Sequence, residues 1–246
     1  MTDLIGKRAL VTGGSRGIGA AIAQALAENG ADVAITYKSA AGRADNVVAA
    51  IRTLGRRGIA IEADSADPDA VKRAVTGTVE ALGGLDILVN SAGIAIYGPV
   101  ADVDIADFQA VMNVNVRGPF VAAQAAIPHL PKGGRIISVG STLGERVPFA
   151  DVTPYAMSKS ALLSFTRGLS RELGPRGITV NLVSPGSTDT EANPADGEGA
   201  AFQRSLSSLG RYAEPREIAN VVAFLASPAA AMVTGTVVTV DGGANA

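Results

Sequence analysis

The chain has 246 residues, 47% of them hydrophobic, with a formal net charge of −2, one histidine and no cysteine. That length and apolar content support a sizeable core in one large or two small domains. The near-neutral charge gives no general pull toward nucleic acid or anionic membrane, and the missing cysteines exclude disulfides and thiol chemistry. His129, the single histidine, sits between Pro128 and Leu130 with no acid–base partner nearby and reads as a helix-end residue; no zinc constellation is recognisable, so no metal is expected. Residues Met1 to Arg8 lack the apolar core of a signal peptide, and no apolar run reaches membrane-spanning length, so a soluble cytoplasmic protein is expected.

In chain order, strands are predicted near Arg8–Thr12, Asp32–Thr36, Ile59–Glu62, Leu85–Asn90, Arg135–Gly140, Thr179–Ser184 and Val237–Val240. Helices are predicted near 17–29, 41–54, 67–82, 104–127, 155–173 and 214–226. Short apolar strands alternating with helices predict an α/β fold, a doubly wound parallel sheet of seven strands with helices on both faces. Asp67-Pro68-Asp69 marks one helix start, an N-cap residue ahead of a first-turn proline. No Pro/Gly/Ser-rich linker divides the chain, which predicts one domain over 1–246. The least regular stretch, Ser187–Gly210, follows a strand and reads either as a mobile lid over a ligand or as a plain surface loop.

The first strand runs into Thr12-Gly13-Gly14-Ser15-Arg16-Gly17-Ile18-Gly19, and a helical pattern leaves it. Strand, glycine-rich turn and helix start form the arrangement that receives a dinucleotide pyrophosphate on free backbone N–H groups. The spacing Gly13-x-x-x-Gly17-x-Gly19 is longer than the usual G-x-G-x-x-G and leaves room for Arg16 near the cofactor. Specificity should be read at the end of the second strand, where a carboxylate would bind the adenosine ribose of NAD. Here the residues are Tyr37-Lys38-Ser39, with no acid before Asp45. Lys38 and Arg16 suit the 2′-phosphate of NADP(H), unless both are ordinary solvated charges. Asp64-Ser65 ends the third strand and either reaches the adenine or closes its own turn. Asn90 could tie neighbouring strand ends through its amide, and Gly93 lets backbone approach the cofactor.

Chemistry is expected in the next third. Tyr155 and Lys159 lie four residues apart on one helix face. A phenol ionises only near pH 10, and a neighbouring ammonium favours the phenolate, so Lys159 is expected to lower Tyr155. Ser141, just beyond the strand that starts at Arg135, offers a hydroxyl that can polarise a carbonyl or simply cap a turn. Asn113 and Asn115 interrupt an apolar helix, and a buried amide there must be satisfied structurally or by a catalytic water.

These motifs, in this order and across essentially the whole chain, resemble the short-chain dehydrogenase/reductase superfamily in its compact group. Residues 12–19 resemble its T-G-x-x-x-G-x-G turn. Asn90-Ser91-Ala92-Gly93 resembles its N-N-A-G strand end, departing at Ser91. Asn115, Ser141, Tyr155 and Lys159 match its catalytic tetrad, and Val240-Asp241-Gly242-Gly243 its C-terminal end. The resemblance implies a Rossmann fold and places Ser15, Ile18 and Ala92 among the cofactor contacts. It implies that Pro185, Gly186, Thr188 and Thr190 hold the nicotinamide carboxamide, and that Tyr37 stands where NAD-dependent relatives carry their acid. It implies that Lys159 also bonds the nicotinamide ribose and that Asn115 holds a water linking Lys159 to solvent. The implied activity is NADP(H)-dependent reduction of a ketone or 3-oxoacyl carbonyl to a secondary alcohol, with Tyr155 as general acid.

The chain is similar in general to 3-oxoacyl-[acyl-carrier-protein] reductases, with Lys132 and Arg176 standing where such enzymes often carry basic residues for the carrier protein. Segments 62–67 and 189–197 resemble a narrower subgroup of biofilm-dispersal reductases, which makes a cyclic diguanylate-binding regulator the alternative function. Compact members usually form homotetramers through the two long helices, here 104–127 and 155–173, and Leu162, Leu163, Phe165 and Leu169 exceed what one buried stripe needs.

Overall fold

A computed structural model of the chain describes residues 3–246. Seven strands form one sheet: β1 Arg8–Thr12, β2 Asp32–Tyr37, β3 Gly58–Glu62, β4 Ile87–Asn90, β5 Arg135–Val139, β6 Thr179–Pro185 and β7 Val237–Val240. The spatial order is β3-β2-β1-β4-β5-β6-β7. Every pairing is parallel. Period-2 alternation sorts the strand side chains between two apolar layers. Ala9, Val11, Val33, Ile35, Ile87 and Val89 face one core; Leu10, Ala34 and Leu88 face the other.

The helices are α1 Gly17–Glu28, α2 Ala41–Thr53, α3 Pro68–Leu82, α4 Ile105–Met112, α5 Gly118–Ala126, α6 Thr153–Leu173, α7 Ala200–Leu206 and α8 Pro215–Ala226. Ile22, Leu26, Ile51 and Ile218, from α1, α2 and α8, fill the first layer. Val75, Leu82, Val121 and Leu169, from α3, α5 and α6, fill the second. The cap expected at α3 forms: the Asp67 carboxylate accepts from Asp69 N at 2.9 Å, Pro68 opens the helix, and Gly83 closes it at φ +79°. Among the described residues no helix is long and apolar enough to cross a membrane.

One expectation is corrected. The single helix expected over 104–127 is two helices separated by a π-helical turn at Asn113–Arg117. The least regular stretch, Ser187–Gly210, expected as a lid or a loop, carries the short helix α7 in its second half. The chain crosses from β3 back to β4, which lies beside β1. Connections therefore leave β1 and β4 in opposite directions and open a crevice at their C-terminal ends, the topological switch point.

Candidate active site

The turn after β1 shows why glycine is needed there. Gly13 has φ +66°, and a Cβ on it would come within 2.8 Å of Ala92 Cα; a Cβ on Gly19 would come within 2.3 Å of Gly13 O. Backbone thus packs on backbone where a side chain would stand. Thr36 Oγ1 accepts from Gly13 N at 3.0 Å, and Thr12 Oγ1 accepts from Ser91 N and Ala92 N at 3.1 and 3.2 Å. Thr12 and Thr36 therefore bind the turn to β2 and to the segment after β4. Thr12 is the threonine of the T-G-x-x-x-G-x-G pattern, whereas Thr36 has no sequence signature apart from this geometry.

Helix α1 starts at this turn with Arg16 as N-cap; no side chain caps it, and no carboxylate occupies its first turn. Such a start favours an anion. Arg16, Lys38 and Ser39 are exposed, while Ser15, Ile18 and Tyr37 are half-buried around the turn. Lys38 Nζ is not free: it pairs with Asp64 Oδ2 at 2.7 Å, and Asp64 Oδ1 accepts from Ala66 N at 2.9 Å. That pairing holds Asp64 in its own turn, beside Ser65, and pulls its carboxyl below the usual range against the cost of its burial.

On the far side, Pro185 ends β6, and a Cβ on Gly186 would meet Asp241 Cα at 2.8 Å. Buried Thr188 donates from Oγ1 to Gly186 O at 3.1 Å, and the Thr190 methyl packs above Gly17. Glu191 pairs with Arg43 of α2. The Ser187–Gly210 segment thus reaches back across the glycine turn. Gln203 knits it together, Oε1 accepting from Ser187 Oγ at 2.8 Å and from Asn193 Nδ2 at 3.0 Å.

Asn90 and Ser138 sit opposite each other in the β4–β5 register, and Asn90 Nδ2 donates to Ser138 Oγ at 3.4 Å, the strand-end tie expected of this amide. Asn90 Oδ1 and Ser184 Oγ are buried without partners. Orphaned polar atoms at strand ends, an uncapped helix start and a turn without Cβ atoms are together what a dinucleotide site requires.

Beyond β5, Ser141 begins a short 3₁₀ turn, Thr142–Gly144, and its Oγ accepts from Leu143 N at 3.2 Å. The same hydroxyl lies near enough to the half-buried Tyr155 phenol, in the first turn of α6, to favour its ionised form. Lys159, 6% exposed, lies one turn on with Nζ 5.6 Å from the Tyr155 ring centroid. It donates to Val139 O at 2.9 Å. The expected lowering of Tyr155 is not found. Burial pushes the phenol up to about 12 against the downward effect of Ser141, and burial pushes Lys159 down to about 8. Desolvation dominates the value of each group.

Asn115 lies in the π turn, 1% exposed. Its Oδ1 accepts from Ile94 N at 2.9 Å, and its Nδ2 donates to Ile94 O at 2.8 Å and Ser158 Oγ at 2.9 Å. Both amide protons are used, so the side chain braces the segment after β4 against α6 and has no proton left to offer a water. A Cβ on Gly93 would lie 3.5 Å from both Asn115 Oδ1 and Lys159 Nζ, which places Gly93 between them. The structure therefore brings Asn115, Ser141, Tyr155 and Lys159 together at the carboxyl end of the sheet.

The family model described as enoyl-(acyl carrier protein) reductase matches residues 13–245. The cyclic-di-GMP-binding biofilm dispersal mediator protein of Escherichia coli K12 is 44% identical over 242 residues, covering 98% of each chain. A versicolorin reductase of Emericella nidulans is 41% identical, covering 98% of this chain and 96% of its own. The solved short-chain dehydrogenase of Burkholderia cenocepacia in complex with NADP is 59% identical, covers 99% of both chains and superposes with a TM-score of 0.98. With its switch-point crevice, glycine turn and Ser141–Tyr155–Lys159 cluster, the chain belongs to the short-chain dehydrogenase/reductase family of oxidoreductases.

Proposed function

We propose that the chain reversibly reduces a ketone or 3-oxoacyl carbonyl to a secondary alcohol with NADP(H). The observation that carries this reading is the buried Lys159, whose Nζ lies 5.6 Å from the Tyr155 ring centroid one helical turn away, with the Ser141 hydroxyl beside the phenol. The turn residues Gly13, Ser15, Arg16, Gly17, Ile18 and Gly19 would hold the pyrophosphate, and Arg16, Tyr37, Lys38 and Ser39 the adenosine 2′-phosphate. Asp64, Ser65, Asn90, Ala92 and Gly93 would line the adenosine and central parts, and Pro185, Gly186, Thr188 and Thr190 the carboxamide. When bound, NADPH supplies the hydride equivalent that the carbonyl carbon takes up.

A phenol held near 12 keeps its proton at neutral pH, so Tyr155 Oη stands ready to protonate the carbonyl oxygen. Ser141 Oγ donates to that oxygen. Lys159, with its value near 8, is mostly an ammonium at pH 7 and stabilises the phenolate left behind. Asn115 keeps Gly93 and α6 at their spacing. Removing the acid should cost roughly 10²- to 10⁴-fold. Tyr155→Phe, assayed by NADPH oxidation over a ketone panel that includes a 3-oxoacyl thioester, tests this. Unchanged turnover would refute it.

The biofilm-dispersal reading is weaker. Of the carboxylates in the segments that suggested it, Asp64, Asp67 and Glu191 are engaged by Lys38, Arg73 and Arg43, and Glu62, Asp189 and Asp196 would repel a bis-phosphate ligand. Calorimetry with cyclic diguanylate checks it. A carrier-protein role for Arg176 is similarly constrained, since its guanidinium donates to Leu130 O and Ile127 O at 2.8 and 3.0 Å.

For assembly we infer a homotetramer in the cytoplasm, formed through α5 and α6. Leu162 and Leu169 are buried and Leu163 and Phe165 half-buried, so the outward apolar surface lies elsewhere. Phe120, 55% exposed, meets Phe165 at a tilt with ring centroids 6.5 Å apart, and Met157 is exposed on α6. Light scattering reporting a monomer at micromolar concentration would refute the assembly.

A further inference from the structure

The chain holds only 4 Tyr, 6 Phe and no Trp. Three of these rings stand on three segments that dock on one another beside Tyr155. Phe149 belongs to the stretch that leads into α6. Phe202 belongs to α7, and the two rings meet edge-on with centroids 5.9 Å apart and planes at 79°. In an edge-on pair only one ring turns its face to the other, so a ring face is left unused. Phe202 is 49% exposed although Gln203, next to it, ties α7 to Ser187 and Asn193. Its exposure is therefore held in place by a bonded scaffold.

Tyr97 stands on the segment after β4 and is 64% exposed. Gly98 N donates to Asp151 O at 2.8 Å, which docks this segment on the Phe149 stretch; Asp151 takes φ +67°, a conformation unusual outside glycine. Asp151 lies two residues beyond Phe149 and four before Tyr155. Tyr97 is close enough to Tyr155 for a charge on one phenol to be felt by the other. Exposed Ile94 and Val147, from the same two segments, complete an apolar mouth.

We propose that Tyr97, Phe149 and Phe202 form an aromatic wall that selects ketones carrying a flat ring within a few bonds of the carbonyl. The carbonyl chemistry rests on the reductase reading above; the wall rests on the rings alone. A straight alkyl chain would fill the same mouth but would gain nothing from the unused ring face. A ring placed there gains roughly 2- to 13-fold in affinity beyond the area it buries.

The protein saturated with NADP⁺ is titrated with 4-phenyl-2-butanone and with 2-octanone by calorimetry, and NADPH oxidation with both ketones is followed in parallel. The phenyl ketone is expected to bind more tightly. Phe149→Leu and Phe202→Leu should each cut the binding ratio by about 2- to 13-fold, and Phe202→Tyr should retain it. Phe202 is exposed enough that its variants should fold, with the melting temperature and NADP⁺ affinity as checks. A ratio that both leucine variants leave unmoved overturns the wall, whether or not either ketone is turned over. So does a failure of both ketones to bind at millimolar concentration. Ring-selective binding without NADPH oxidation supports the wall and overturns the ketone-reductase reading instead.

Discussion

Lys38 Nζ lies 2.7 Å from Asp64 Oδ2, joining the end of β2 to the turn after β3. Under the proposed reading, the cation at the end of β2 is thus already oriented by a carboxylate, and a bound 2′-phosphate would have to share it. Because Lys38 is mostly exposed, solvent screens the interaction. The loss on Lys38→Ala should therefore fall near the lower end of a charge-assisted hydrogen bond, about 10-fold in NADPH affinity, with NADH little changed. Adding Tyr37→Asp should move the preference toward NADH, with Arg16 leaving residual NADPH use. Fluorescence titrations with both coenzymes check this, and a ratio unmoved by the double substitution would show that phosphate is read elsewhere.

Burial of Lys159 has a stability consequence with a definite sign. Its value falls from 10.5 to about 8 in the fold, so the folded chain binds this proton less tightly than the unfolded one. Below about 8 the ammonium is charged in both states and the burial cost is fully present. Between about 8 and 10.5 the unfolded chain binds more protons, and stability rises with pH. Tyr155, raised from 10.0 to about 12, acts oppositely: its contribution is intact below 10 and is lost as pH climbs toward 12. Lys159→Met should remove a cost of roughly 3 kcal/mol and lose about 1 kcal/mol with the bond to Val139 O. The variant should melt higher than wild type at pH 7, by about 2 kcal/mol of stability, with the gap closing by pH 10. Thermal scans at both pH values decide it.

Asn115→Leu should destabilise the protein and slow it. The substitution leaves Ile94 N, Ile94 O and Ser158 Oγ without the partner that Asn115 provides. Ile94 is partly exposed and Ser158 Oγ keeps its bond to Tyr155 O, so each stranded group costs near the lower end of about 1–3 kcal/mol and a loss of roughly 2 kcal/mol is expected. Denaturant unfolding measures the first effect and kcat the second. Wild-type stability would show that the brace is dispensable.

Two glycines should respond in opposite directions. Gly19→Ala would press a methyl within 2.3 Å of Gly13 O and should abolish coenzyme binding. Gly77→Ala, inside α3, would meet only Ile61 Cδ1 at 3.8 Å and should stabilise by about 0.5–1 kcal/mol through helix propensity. Melting temperatures and NADPH titrations of the two variants compare them directly.

Much of this protein is determined locally and is legible in its sequence. The seven strands fall within about two residues of their predicted limits, because most are short apolar runs bounded by polar, glycine or proline residues. The glycine turn is legible because only glycine fits where backbone meets backbone. Tyr155 and Lys159 are legible because helical periodicity alone brings them to one face. Tertiary structure decides what those residues experience. The π turn at Asn115 arises where the chain bridges Ile94 and Ser158, partners 21 and 43 residues away. The Lys38–Asp64 pair exists because β2 and β3 are neighbours in the sheet. The upward push on Tyr155 and the downward push on Lys159 come from atoms packed around them by distant segments, and desolvation has no signature in a sequence window. The ring contact of Phe149 with Phe202 joins positions 53 apart that no periodicity relates. Residue type and spacing thus select the chemistry, while charge state and cleft shape depend on what long-range packing removes from water.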